Sequence, residues 1–237
     1  MSPHIVARYD QELKELTGRI AEMGGLAEGQ IAEAISALVR GDTKLAHKVI
    51  QTDARIDALQ REVEEQAIQV IARRQPMAVD LRHVFAALRI AGDLERIGDL
   101  AKSIAKRAVV MGGAVQVKRL AIGVEHLAET ALDQLKSVLD AYTAGDADRA
   151  RDVRERDDQI DALYTSLFRE LLTYMMEDPR NITFCTHLLF CAKNVERIGD
   201  HATNIAEAIW FEVTGEQVTE ERPKANDVGQ MQLGDGA

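Results

Sequence analysis

Apolar residues recur along this chain every three or four positions, which is the period of an α-helix that buries one face. In one stretch the apolar stripe consists mostly of small residues, which let neighbouring helices approach closely: Ala87, Ala91, Leu94, Gly98, Ala101, Ala105 and Ala108. The complete pattern predicts six helices, near residues 8–40, 42–73, 78–110, 114–143, 146–176 and 180–213. We therefore expect an all-α protein of long antiparallel helices.

Glycine and proline mark the ends of these helices. A Gly-Asp pair follows the first and the fourth helix, at residues 41–42 and 145–146. The glycine suits the left-handed position after a helix, and the aspartate suits the N-cap of the next helix. Pro76 and Pro179 each separate two helical patterns, which indicates turns between helices.

The chain contains an internal repeat. The sequence IDAL at 56–59 recurs at 160–163, an offset of 104, and ERIGD at 95–99 recurs at 196–200, an offset of 101. A gap of three residues in the second copy reconciles the two offsets. The repeat predicts two tandem three-helix bundles, at 1–112 and 113–215. After Gly215 the periodic apolar pattern gives way to a Gly-, Glu- and Asp-rich segment, so we expect a disordered tail at 216–237.

Charge and hydropathy exclude several classes of protein. The formal net charge of −10 argues against a duplex nucleic-acid binder, which needs a basic surface. Residues 1–10 contain charges and no apolar core, so we expect no secretory signal. The longest uncharged apolar stretch, 182–192, is too short to span a bilayer, so we expect a soluble cytoplasmic protein without membrane insertion. Cys185 and Cys191 lie in that stretch, and we predict buried free thiols rather than a redox or zinc role.

Each predicted unit contains two segments of the form acid-x-x-x-acid, one on its middle helix and one on its last. The eight carboxylates are Asp53, Asp57, Glu95 and Asp99 in the first unit and Asp157, Asp161, Glu196 and Asp200 in the second. A spacing of four places both acids of a pair on one helix face, where like charges repel by about 0.2–0.5 kcal/mol. They adjoin the apolar stripes, so acids from two antiparallel helices can converge. Oxygen ligands suit Mg²⁺, Ca²⁺, Mn²⁺ or iron, which makes the eight acids candidate metal ligands.

Surface ion pairs are the alternative interpretation of these acids. In the first unit Lys102 and Lys106 lie on the same helix face as the acids. In the second unit the matching positions are Thr203 and Glu207, although Lys193 remains nearby. Both interpretations stay open at this point. If only one set binds metal, we expect it to be the second.

The sequence contains none of the common catalytic motifs that we looked for. Gly98 and Gly199 stand where a Glu-x-x-His motif would place its histidine, which disfavours a ferritin-type di-iron centre. His201 follows Asp200 and points about 100° away from it on a helix, so we predict a surface or polar-contact role. We find no phosphate loop, nucleophile elbow or HExxH motif, and we expect no enzyme. A carboxylate-bridged metalloenzyme or a metal store is the alternative.

The segments DLERIGD at 93–99 and KNVERIGDHA at 193–202, with DLR at 80–82, resemble the PhoU family. The resemblance runs from about Tyr9 to Gly215 and includes the duplicated bundles. It implies a cytoplasmic accessory protein of the high-affinity phosphate ABC transporter. Such a protein would act as a negative regulator of the phosphate-starvation response and of phosphate uptake. It further implies contacts with the transporter's ATPase subunit and with a sensor histidine kinase, and a homodimer. A multinuclear cluster of iron, manganese, zinc or magnesium, held by E(D)xxxD motifs, would fall on the eight carboxylates.

Overall fold

The computed structural model describes residues 3–112 and 117–219, with side chains at 9–112 and 120–219. Its helices are α1 (Pro3–Arg40), α2 (Thr43–Arg74), α3 (Val79–Met111), α4 (Val117–Ala144), α5 (Ala147–Glu155), α6 (Asp157–Glu177) and α7 (Ile182–Thr214). A 3₁₀ turn, Pro179–Asn181, precedes α7. The described part of the chain contains no strand, and the all-α prediction is confirmed. Most of the predicted disordered tail, from residue 220 onward, lies outside the described residues.

The predicted turns form as local chemistry dictates. Gly41 and Gly145 have φ of 66° and 64°, in the left-handed region that glycine adopts without strain. The side chains of Asp42 and Asp146 accept hydrogen bonds from backbone N–H groups in the first turns of α2 and α5. These contacts reverse the chain after α1 and after α4, so that consecutive helices pack antiparallel.

One helix prediction is wrong. The helix expected over 146–176 is two helices, α5 and α6, separated at Arg156. The Nε2 of Gln134 on α4 donates to the carbonyl oxygen of Arg156 at 2.9 Å, and the Arg156 side chain donates to the Asp152 carbonyl at 3.1 Å. Both contacts satisfy backbone oxygens at the break. The matching position in the first unit is Thr52, inside the unbroken α2.

Helices α1–α3 form one bundle and α4–α7 the other, and their buried side chains make one continuous hydrophobic core. The small-residue stripe predicted on α3 is buried along its whole length. Cys185 and Cys191 are buried as predicted, and burial raises the pKa of Cys191 to about 12. None of the described helices is both long enough and apolar enough to cross a bilayer.

The two bundles meet along α3 and α7, which lie antiparallel. Near the middle, His201 Nδ1 lies 2.8 Å from Asp93 Oδ1, and Asn204 Nδ2 donates to the same oxygen at 3.2 Å. Near one end, the Arg107 guanidinium lies 4.2 Å from the centre of the Phe190 ring. The polar-contact role predicted for His201 is therefore confirmed, with a partner from the other bundle.

A histidine joins four helices at the other end of this interface. His83 Nδ1 on α3 lies 2.5 Å from Glu212 Oε1 on α7, and its Nε2 lies 3.2 Å from Thr17 Oγ1 on α1. The imidazole stacks on the ring of Tyr142 on α4, with 6.2 Å between ring centres. The hydrogen bond to Glu212 raises the pKa of His83, against the opposing effect of burial. The protonated form of His83 therefore strengthens the contact between the two units.

We expect this contact to make stability depend on pH. Because the pKa of His83 is higher in the folded protein, its contribution is complete below its ordinary pKa of about 6.5. The contribution is lost as the pH rises through the folded pKa. His83→Gln should therefore lower the free energy of unfolding by about 1–3 kcal/mol at pH 6 and by less at pH 9, measured by urea denaturation. The exposed His47 supplies the control His47→Gln, and an equal loss at both pH values for the His83 variant would contradict the expectation.

Candidate functional site

The four acids of the first unit lie together where α2 meets α3. Asp53 is buried, with 2% exposure, whereas Asp57, Glu95 and Asp99 are partly exposed. Lys102 Nζ donates to Asp53 Oδ2 at 2.5 Å and to Asp99 Oδ1 at 3.3 Å. A lysine ammonium thus lies between carboxylates from two helices. The predicted convergence of the acids occurs, and the ion pair from the alternative interpretation occurs with it.

The electrostatics of this group follow from burial and from mutual repulsion. Burial raises the pKa of Glu95, and the other three acids of the unit raise it further, while Arg96 opposes the rise. Burial also raises the pKa of Asp53, and the hydrogen bond from Lys102 is the largest opposing effect. The four carboxylates therefore act as one repelling set, in which Lys102 supplies charge compensation at the most buried position.

The second unit repeats the burial pattern with different partners. Asp157 is buried at the start of α6, and Asp161, Glu196 and Asp200 are partly exposed. The hydroxyl of Thr203 donates to Asp157 Oδ1 at 2.9 Å. At the edge of the group, the exposed Lys193 Nζ donates to Glu196 Oε1 at 2.7 Å. A neutral hydroxyl thus stands at the position that corresponds to Lys102.

A further cation contributes to the second unit. Arg154 on α5 is buried, and its Nε lies 3.4 Å from Glu207 Oε1 on α7. Its counterpart in the first unit is Ile50, a partly buried apolar residue. The sequence does not predict this ion pair, because the residue type alone does not show whether an arginine is buried or exposed.

Two glutamines at the acid sites were not predicted. Gln30 on α1 and Gln134 on α4 are 5% and 3% exposed. Each glutamine lies close to the glycine of one ERIGD segment. A Cβ added to Gly98 would lie 3.2 Å from Gln30 Oε1 and 3.4 Å from Asp53 Oδ1, and one added to Gly199 would lie 3.7 Å from Gln134 Oε1. Both polar atoms of the Gln30 side chain and the Oε1 of Gln134 lack a hydrogen-bond partner in the described part of the chain. The repeat was the available signal, since the two glutamines stand at the offset of 104 that relates the halves.

The arrangement of the acids bears on metal binding. All eight acids belong to the described residues, and no three histidine, cysteine, aspartate or glutamate side chains there are arranged to hold a metal ion. In the first unit the ammonium of Lys102 lies between Asp53 and Asp99. With the ammonium in this place, Asp53 and Asp99 do not fit a metal ion. Metal binding by the eight acids stays a prediction.

The comparison with known protein families agrees with this duplicated geometry. The family model of the PhoU domain matches the chain twice, at residues 20–108 and 124–209. The chain belongs to the PhoU family. Each matched segment contains one acid pair on its middle helix and one on its last, so the repeated acids coincide with the repeated PhoU domain.

Curated PhoU relatives match nearly the whole chain. The phosphate-specific transport system accessory protein PhoU homolog of Rhizobium meliloti is 60% identical over 221 residues, which cover 93% of each chain. Its counterpart from Caulobacter vibrioides is 53% identical over 230 residues, 97% of this chain and 100% of the relative. The resemblance drawn from the ERIGD segments is confirmed.

Solved PhoU structures share the fold. PhoU from Pseudomonas aeruginosa is 38% identical with a TM-score of 0.84, covering 88% of this chain and 100% of that one. The phosphate transport system regulatory protein PhoU from Streptococcus pneumoniae is 29% identical with a TM-score of 0.80, covering 89% of this chain and 99% of that one. The predicted pair of tandem three-helix bundles is the PhoU fold.

Proposed function

We propose that this PhoU protein is a cytoplasmic negative regulator of high-affinity phosphate transport and of the phosphate-starvation response. The observation that carries the proposal is the match over nearly the full length to curated accessory proteins of phosphate-specific transport. The names of these relatives and of the Streptococcus pneumoniae structure, accessory and regulatory protein, point to a regulator rather than an enzyme.

In this proposal the protein is an adaptor between the ATPase subunit of the phosphate transporter and a sensor histidine kinase. Two similar bundles in one chain offer two related but different surfaces. The turns before α3 and α7 both expose apolar side chains, with Met77 at 80% and Ile182 at 48% exposure, and Met176 at the end of α6 is 77% exposed. Exposed apolar groups are typical of protein contact sites, which makes these turns our candidate docking points. A homodimer and a bound metal cluster are further proposals from the family, and no step of the regulation depends on them.

A reporter experiment tests the proposed regulation. Deleting the gene should raise expression from a phosphate-starvation promoter in high phosphate to the level of starved cells, and the wild-type chain should restore repression. Unchanged repression in the deletion strain would exclude the proposal. A chain with Met77→Asp and Met176→Asp should fail to restore repression and should recover less ATPase subunit or kinase in affinity capture. Ile122, which is also exposed and lies on α4 away from these turns in sequence, supplies the control Ile122→Asp.

A further inference from the structure

Lys102 lies where a cation between the first-unit carboxylates would lie. Its Nζ is 2.5 Å from Asp53 Oδ2 on α2 and 3.3 Å from Asp99 Oδ1 on α3. The Asp53 side chain is 3% exposed and that of Lys102 is 27% exposed, so the contact to Asp53 is largely shielded from water. A metal ion binds carboxylate oxygens at about 2.0–2.6 Å, and it would need the space that the ammonium fills.

We infer that Lys102 is the built-in counter-ion of the first unit, and that this unit takes no divalent metal ion while Lys102 is present. Two positive charges would repel strongly at this separation in a partly shielded site. Unlike a metal ion, which must bind from solution, the Lys102 ammonium is covalently attached to the same helix as Asp99 and stays close to the carboxylates. A lysine side chain is charged at physiological pH, and the hydrogen bond to Asp53 Oδ2 holds the ammonium at this position.

The two units place different hydrogen-bond donors at the matching position beside their buried aspartates. Asp53 receives a hydrogen bond from a charged lysine, whereas Asp157 receives one from the Thr203 hydroxyl at the matching position. The inference departs from the predicted metal binding for the first four acids only. It leaves the prediction for the second unit untouched, and it does not depend on the proposed regulation.

Mn²⁺ binding tests the inference in a full-length chain whose second-unit acids are neutralised by Asp157→Asn, Asp161→Asn, Glu196→Gln and Asp200→Asn. Equilibrium dialysis against Mn²⁺, read by metal analysis, then reports the first unit alone. We expect this chain to bind no more Mn²⁺ than one in which all eight acids are neutralised. Adding Lys102→Met should raise bound Mn²⁺ to a stoichiometric amount. Lys102→Arg, which keeps a cation, and Lys106→Met, which removes the exposed lysine one turn later, should not raise it.

Two results would overturn the inference. One is Mn²⁺ binding by the first unit with Lys102 intact. The other is a Lys102→Met chain that keeps its helix content by circular dichroism and still binds no Mn²⁺. If methionine prevents folding, Lys102→Gln removes the charge and retains a donor to Asp53, and the same two criteria apply. The reporter experiment addresses regulation separately, since a chain without metal in its first unit can still repress.

Discussion

Replacing Lys102 with methionine is expected to lower the free energy of unfolding by about 2–4 kcal/mol at pH 7.5 in the absence of metal. The variant leaves the carboxylate of Asp53 buried without its charged partner. The loss should be smaller than for a fully buried pair, because the Lys102 side chain is 27% exposed and water can reach the site. Urea denaturation followed by circular dichroism measures the change.

The control for this prediction lies on the same helix. Lys106 is exposed, and Lys106→Met should change stability by no more than about 0.5 kcal/mol. Asp53→Asn removes the buried charge, so Lys102→Met should cost less in the Asp53→Asn chain than in the wild type. Equal losses from the two lysine variants would show that the ion pair contributes nothing to stability.

The pH dependence of the Lys102→Met variant has a definite sign. Burial raises the pKa of Asp53, and removing Lys102 removes the largest effect that lowers it. Asp53 should then be protonated in the folded variant at mildly acidic pH, where its burial carries little penalty. The loss of stability should therefore appear as the pH rises through the folded pKa of Asp53, and it should be smaller near about pH 4 than at pH 7.5.

Much of the fold was predictable because its determinants are local. Helix period, the left-handed glycines at 41 and 145, and the aspartate caps depend on residues a few positions apart. The break at Arg156 was not predictable in this way. The Gln134 amide that donates to the Arg156 carbonyl at the break comes from another helix, and the charged residues around Arg156 continue a good helical pattern.

In the candidate site, too, features set by local spacing were predictable and contacts between helices were not. Helical spacing correctly predicted that the acids of α2 and α3 can converge, because residues on the edges of two packed antiparallel stripes can face each other. It could not distinguish Lys102 from Lys106, which the pattern places on one face and of which only Lys102 reaches Asp53. Nor could it find the Asp93 partner of His201, which comes from the other bundle. Contacts of this kind depend on which side chains of different helices come close enough to touch, and residue spacing along one helix does not determine this.

Introducing valine at Gly199 is expected to lower the free energy of unfolding by about 2–3 kcal/mol. A Cβ on Gly199 would lie 2.6 Å from the Cδ1 of Ile160, which is buried on α6. Relief requires Ile160 to change rotamer within a packed core or α6 to move away from α7. Replacing a helix-interior glycine with alanine recovers only about 0.5–1 kcal/mol, and β-branched valine recovers less, which does not offset the overlap.

Gly92 on α3 provides the matched control, because a Cβ there would meet nothing within 4 Å. Gly92→Ala should raise stability by about 0.5–1 kcal/mol, the reverse of the Gly199 effect, in the same thermal or urea unfolding assay. A Gly199→Val chain as stable as the wild type would show that helix approach does not require this glycine. The expected loss accords with the presence of glycine at position 199, three residues after Glu196, where a ferritin-type motif has histidine. An imidazole at Gly199 would have to occupy space that Ile160 fills, so the close packing of α6 on α7 disfavours a histidine ligand there.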